Sequence, residues 1–104
     1  MNLPAKLRVG PYDVSIVPLE KSEARDNYGA FSSLDLEIRM RDDFKTPHMA
    51  ADTFLHEVLH AIWFVHGIRA KDGEERIVST LSTGLSQVIR DNPKAVEWLR
   101  NALK

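Results

Sequence analysis

The sequence predicts an α+β domain in which a small antiparallel β-sheet is followed by three helices. As far as Met40, apolar residues alternate with polar ones or lie in short β-branched runs. From Thr46 onward they recur at helical intervals. Proline, glycine and asparagine separate these segments. Because 104 residues is the usual length of one domain, we expect residues 1–104 to form a single unit.

The first part of the chain predicts two pairs of strands. Leu7–Val9 and Tyr12–Val17 flank a glycine–proline turn and are expected to pair antiparallel. Glu20–Asn27 is charged and has no apolar periodicity, which predicts an exposed loop. Tyr28–Ser33 and Asp35–Met40 follow as a second pair. In the last segment apolar and charged residues alternate, as they do in a half-buried strand.

Three helices are predicted in the rest of the chain. A threonine N-cap and a proline in the first turn predict a first helix from about Pro47 to Val65 or His66, which stops at the following glycine. A short polar link then leads to a second helix from about Glu74 to Arg90. Asn92 and Pro93 are expected to end it and to begin the third helix, as cap and first-turn residue.

Composition excludes several classes of protein. The 14 basic and 15 acidic residues give a net charge of -1, which lacks the positive charge of a nucleic-acid-binding protein. Because cysteine is absent, any metal must be held by histidine and carboxylate. No apolar run approaches the about 20 residues that span a bilayer, and the first residues do not resemble a signal peptide. We therefore expect a cytoplasmic protein without nucleic-acid or membrane partners.

The first predicted helix contains His56-Glu57-Val58-Leu59-His60, an HExxH motif. Helical spacing places both imidazoles on one face, with Cβ atoms about 6 Å apart, so two nitrogens can bind one Zn²⁺ at about 2.0–2.1 Å. Glu57 is offset by about 100° and can contact a zinc-bound water without binding the metal. The motif therefore predicts His56 and His60 as zinc ligands and Glu57 as the general base that activates this water.

A catalytic zinc needs a third protein ligand. His66 stands where the metzincin pattern HExxHxxGxxH has its third histidine, but the helix-breaking glycine of that pattern is replaced by Trp63. On an unbroken helix His66 points about 120° away from His60. Glu74 and Glu75, at the start of the second helix, are better candidates, as in the two-helix arrangement of gluzincins. Projection of that helix favours Glu74, and either residue can instead be a first-turn carboxylate stabilised by the helix dipole.

The stretch HEVLHAIWFVHG followed by EERIVSTLSTGLSQVIRDNP resembles very small HExxH proteins of bacteriophages and prophages, which are similar to the ImmA/IrrE branch of zinc metallopeptidases reduced to its core. The resemblance covers about residues 28–93, beginning with Tyr28-Gly29-x-Phe31. It implies a minimal zincin-like fold with HExxH on the first long helix, and Glu75 as third ligand with Glu74 as the alternate. It also implies zinc-dependent cleavage of a protein or peptide, such as a host or phage regulator, in the host cytoplasm.

Two alternatives stay open at this level. In zincins an edge strand beside the metal helix pairs with extended substrate, and Asp35–Met40 is a candidate for that strand. Its alternating charges equally suit an edge protected against aggregation. The rival function is a non-catalytic, zinc-stabilised module for protein interaction. Glu57 favours catalysis, because a structural zinc site does not require a general base.

Overall fold

Within residues 2–24 and 27–104, which a computed structural model describes, the chain forms one four-stranded sheet and four helices. The strands are β1 (Lys6–Val9), β2 (Tyr12–Pro18), β3 (Gly29–Ser32) and β4 (Glu37–Met40). The helices are α1 (Lys21–Ala24), α2 (Pro47–Val65), α3 (Glu74–Asp91) and α4 (Pro93–Ala102). The predicted α+β class is confirmed, with one short helix more than expected.

The sheet is mixed, so the prediction of a purely antiparallel sheet is wrong. Its strand order is β1-β2-β4-β3. The two predicted antiparallel pairs are present, but β2 and β4 run parallel, with Ile16 opposite Ile38. The sheet is mixed because the second strand of the β3–β4 hairpin, β4, pairs with β2, and β3 is left on the outside. Alternation in the sequence specifies which face of a strand is buried but not which strand lies beside it.

β4 lies inside the sheet, so both expectations of an edge strand at Asp35–Met40 are wrong. Ile38 and Met40 are 0% and 3% exposed and belong to the core. Glu37 and Arg39 alternate with them and lie on the opposite face, where the Arg39 Nε donates to Glu37 Oε2 at 3.1 Å. The charges therefore cover one face of an interior strand and do not protect an edge.

The predicted exposed loop Glu20–Asn27 contains the single-turn helix α1. The side chains of Lys21, Ser22 and Glu23 are exposed, as expected, but the backbone is helical. One turn is too short to show a 3.6-residue apolar period, which is why the sequence did not predict it. Residues 25 and 26 of this segment lie outside the described residues.

The core lies between the sheet and the long helices. It contains Leu7, Val9, Val14, Ile38, Met40, Phe54, Val58, Ala61, Ile62, Val88 and Ala95. Because α2 contributes four of these side chains, its apolar face is turned to the sheet and its opposite face to solvent. Across residues 2–24 and 27–104, no helix is both long and apolar enough to cross a membrane.

Both ends of α2 form as the sequence predicts. The Thr46 hydroxyl accepts a hydrogen bond from the Met49 N–H at 3.1 Å, and a proline follows at the first turn. At the other end Gly67 has φ 65°, and the Ile68 N–H donates to the Trp63 carbonyl at 3.0 Å. This is a Schellman motif, in which glycine takes the left-handed conformation without strain.

The outer edge of β1 is covered by two polar side chains. Gln87 of α3 accepts from the Gly10 N–H at 2.7 Å and donates to the Arg8 carbonyl at 3.1 Å. Asn92 accepts from the Arg8 N–H at 2.7 Å and donates to the Arg8 and Val88 carbonyls at 2.9 and 2.8 Å. Asn92 is the N-cap residue of α4, as predicted, but its side chain binds β1 instead of capping the helix.

α2 and α3 approach each other closely at Gly84. A Cβ atom at this position would lie 2.6 Å from Ile62 Cγ2 and 3.1 Å from His66 Nε2. A separation of 2.6 Å is far below van der Waals contact, so the interface requires glycine here.

Gly84→Leu is therefore expected to lower the free energy of unfolding by about 1–3 kcal/mol through overpacking. Leucine favours a helix over glycine by about 1 kcal/mol, so intrinsic propensity opposes this loss. Ser86→Leu, at an exposed position of the same helix, is the control and should change stability by about 0.5 kcal/mol or less. Urea denaturation measures both variants, and equal stabilities would contradict the close packing.

Candidate metal centre

The two histidines of the HExxH motif lie on the solvent-facing side of α2. Both side chains are exposed, and their Nε2 atoms are 3.2 Å apart. The ring planes are inclined at 70°. Two nitrogens that bind one tetrahedral zinc at about 2.0–2.1 Å lie about 3.3 Å apart. His56 and His60 therefore have the separation of two ligands of a single zinc ion.

Glu57 lies beside the histidine pair on the flank of α2 that faces β3. The residue is 6% exposed, and its carboxylate lies within 4.8 Å of the imidazole nitrogens of His56 and His60 that could bind a metal. Burial raises the pKa of Glu57 above its ordinary value, while the neighbouring His56 and His60 act to lower it. A buried carboxylate of raised pKa beside two potential metal-binding nitrogens is a candidate for proton transfer.

The absence of a side chain at Gly29 of β3 leaves room for the Glu57 carboxylate between β3 and α2. A Cβ atom at Gly29 would lie 2.8 Å from Thr53 Cγ2 and 3.3 Å from Glu57 Oε2. A side chain at this position would therefore force Thr53 or β3 to move and would crowd the Glu57 carboxylate. In the sequence Gly29 appears only as part of the resemblance, because a contact between β3 and α2 depends on the tertiary fold.

The raised pKa predicts how stability depends on pH in zinc-free protein. The folded state holds the Glu57 proton more tightly than the unfolded state, whose pKa is near 4.5. Protonated Glu57 therefore adds to the free energy of unfolding. This contribution is fully present below the pKa of the unfolded state and is lost as pH rises through the higher pKa of the folded state. We expect wild type to lose stability relative to Glu57→Gln above pH 4.5. Denaturation at a series of pH values measures the difference in free energy of unfolding between the two proteins. A difference that does not change with pH would contradict the burial of the carboxylate.

The predicted third ligand is not beside the histidines. Glu74 and Glu75 are exposed in the first turn of α3. Over the described part of the chain, the group of side chains able to hold a metal contains His56, Glu57 and His60 alone. Glu75 as third ligand, with Glu74 as the alternate, stays a prediction.

Glu75→Gln is expected to weaken zinc affinity at least about tenfold. Even the loss of a residue that only hydrogen-bonds to a metal ligand weakens metal affinity about 10–100-fold. Glu74→Gln is the matched control, because it makes the same change at the neighbouring position and should have little effect. Isothermal titration with zinc measures both variants. A larger loss in Glu74→Gln would reverse the assignment.

His66 does not belong to the group of side chains that could hold a metal. It caps the C-terminus of α2, and its Nε2 atom is buried without a hydrogen-bond partner in the described structure. A Cβ at Gly84 would lie 3.1 Å from this nitrogen, and one at Gly10 would lie 3.9 Å from it. His66 therefore packs between α2, α3 and the β1–β2 turn, and a metzincin-like ligand set has no support.

An apolar groove of about 430 Å³ lies between α2 and α3, on the other flank of the histidine pair. It is lined by His56, Leu59, His60, Trp63 and Leu81. A group bound in this groove would touch both imidazoles. The sequence does not predict this groove, because Leu59 and Trp63 have the spacing of ordinary packing residues.

β3 is the open edge of the sheet beside Glu57. The Tyr28 carbonyl accepts from the Arg41 N–H at 2.9 Å, and the hydrogen-bonded pairs of the antiparallel β3–β4 ladder recur at every second residue. The backbone N–H and C=O groups of Gly29 and Phe31 therefore point away from β4. In the described residues no strand pairs with this side of β3.

The candidate site is thus the exposed histidine pair on α2, with Glu57 and the open β3 edge on one side and the apolar groove on the other. Comparisons of the chain with models of protein families, with curated proteins and with solved structures find no match. Function is therefore inferred from the geometry of these residues.

Proposed function

We propose that the protein is a zinc-dependent peptidase with a minimal zincin-like fold, similar to the ImmA/IrrE branch of metallopeptidases. The main support is the 3.2 Å separation of the His56 and His60 Nε2 atoms beside a buried carboxylate, Glu57. Two imidazoles and a carboxylate are a donor set that catalytic zinc uses, with Glu75, or alternatively Glu74, as the third ligand. Zinc, when bound, supplies a Lewis acid that polarises the peptide carbonyl and activates water.

Glu57 carries the proton transfers of the proposed reaction. Its carboxylate accepts a proton from the attacking water as the new C–O bond forms. It then delivers this proton to the amide nitrogen, so that the C–N bond breaks and a neutral amine leaves. Because burial raises its pKa, Glu57 is a stronger base than an exposed carboxylate.

The open edge of β3 is the proposed binding strand for an extended peptide. Gly29 and Phe31 offer two donors and two acceptors, as an added strand requires. Gly29 lies against Glu57, so a peptide paired there passes over the base and the histidine pair. The substrate class is therefore an unfolded or extended protein segment, and by resemblance the target is a host or phage regulator in the cytoplasm.

Cleavage of a decapeptide library by zinc-loaded protein, followed by mass spectrometry, tests this function. Products are expected with zinc, are expected to disappear with a chelator, and should return when zinc is added back. Backbone N-methylation of alternate residues in a cleaved peptide tests the edge strand. One alternate set should block cleavage and the other should not, because only every second N–H faces β3. If no peptide is cleaved, the hydrolase proposal is wrong.

The rival is a zinc-stabilised interaction module without catalysis. One observation favours it: the side chains grouped within 4.8 Å are His56, Glu57 and His60, without Glu74 or Glu75. In such a module Glu57 itself would bind zinc. Replacement of Glu57 would then release the metal, whereas in the peptidase it would not.

A further inference from the structure

We propose that the outer face of α4, together with the end of α3, docks a second copy of this chain in an antiparallel, two-fold symmetric contact. The face borders a groove of about 890 Å³. Its lining includes the apolar residues Ile89, Val96 and Leu103 and the charged residues Glu97 and Arg100, which together are called the α4 face. The contact is independent of the proposed peptidase, because none of these residues belongs to the group that could hold a metal.

The α4 face exposes large apolar side chains. Ile89 is 54% exposed and Leu103 is 43% exposed. Val96 and Leu103 are seven residues apart, which is two helical turns, so they lie on the same side of α4. Another side of the helix, with Ala95 and Trp98, packs against the core. α4 therefore has one apolar stripe for the core of its own chain and a second stripe that gains free energy when another surface covers it.

The charges on the α4 face favour a second copy in antiparallel orientation. Glu97 and Arg100 are exposed and lie on one side of the helix, and among the described residues neither forms an ion pair. A two-fold axis that crosses α4 between residues 98 and 99 places Glu97 level with the partner's Arg100 and Arg100 level with the partner's Glu97. In a parallel contact the like charges would face each other, which is unfavourable.

The same axis covers the exposed apolar side chains. Ile89 lines the groove together with Pro93, the first residue of α4, and Leu103 lies just after the end of that helix. In an antiparallel pair the end of one helix lies against the beginning of the other. Leu103 of each copy therefore comes to the end of the groove where Ile89 of the other copy is exposed. The face is complementary to itself in charge and in apolar surface, as a two-fold contact requires.

The contact is small, so we expect a dimer with a dissociation constant in the micromolar range. The α4 face has fewer residues than the about 20–30 per partner of a standard interface. Sedimentation velocity of the untagged protein at about 1 μM to 1 mM measures the association. A chelator is included, because zinc could otherwise cross-link copies through the exposed histidines. A monomer at every concentration would overturn the proposal, and so would open-ended growth beyond the dimer.

Charge reversal tests the antiparallel pairing. Glu97→Arg and Arg100→Glu are each expected to weaken the dimer at least about tenfold, because each replaces two attractive pairs by two repulsive ones. An equimolar mixture of the two variants should dimerise as wild type does, since positive charges on one chain then meet negative charges on the other. Circular dichroism measures whether each variant is folded. Failure of the mixture of folded variants to dimerise would overturn the pairing.

A pair of leucine variants tests the apolar part of the contact. Leu103→Ser is expected to weaken the dimer at least about tenfold, since a partly exposed leucine is lost from both ends of the contact. Leu34→Ser is the control, because Leu34 is 92% exposed and lies between β3 and β4, outside the groove. It should leave the dissociation constant unchanged. Equal dissociation constants for the two variants would overturn the assignment of the dimer to this face.

Discussion

Glu57→Gln is expected to reduce peptide hydrolysis by about 10²–10⁴-fold or more, while the protein keeps its zinc. Glutamine has the shape of glutamate but cannot accept the proton of the attacking water. Glu57 is 6% exposed in the wild type, and burial opposes its charge, so a neutral isostere is compatible with the fold. Initial rates on one cleaved peptide, with zinc content measured on the same samples, give both quantities.

The same variant separates the peptidase from the interaction module. Retained zinc with lost hydrolysis supports Glu57 as the base. Loss of zinc would show that Glu57 is a ligand, as the module requires. Glu37→Gln is a suitable control, because it makes the same change on β4, where Glu37 pairs with Arg39 away from the histidines. It should affect neither zinc content nor rate.

His56→Ala and His60→Ala are each expected to weaken zinc binding at least about 100-fold. Each removes one of the two nitrogens that are 3.2 Å apart, and the remaining donors cannot complete a tetrahedral site. Because metal binding adds to folding free energy, zinc should raise the melting temperature of wild type but not of the variants.

His48→Ala is the matched control for the histidine variants. His48 is exposed on the same helix but lies outside the group of potential ligands. Titration calorimetry should show that His48→Ala binds zinc with the same affinity as wild type. Equal zinc affinity in His60→Ala and His48→Ala would mean that the histidine pair is not the site.

Local signals in the sequence predicted α2 well. Thr46 and Gly67 act through contacts with near neighbours in the chain, so the ends of the helix follow from them. The separation of His56 and His60 is likewise a property of one helical turn. These parts of the site needed no knowledge of the tertiary fold.

The rest of the site depends on contacts between distant segments. Alternation showed which face of β4 is buried, but the position of β4 inside the sheet and of β3 at its edge follows from pairing with β2. The burial of Glu57 needs Gly29, and the groove needs Leu81 of α3 beside Trp63. Neither contact leaves a periodic signal. The third ligand is likewise undetermined by spacing, since Glu74 and Glu75 share one helical turn.

Zinc content of the wild-type protein tests the central claim most directly. Protein prepared without a polyhistidine tag is incubated with zinc, passed through a desalting column and measured by elemental analysis and native mass spectrometry. The predicted result is one zinc ion per chain, reduced to none in a His56→Ala, His60→Ala double variant. Wild-type protein that carries no zinc, or as much as the double variant, would contradict the metal centre and with it the proposed peptidase.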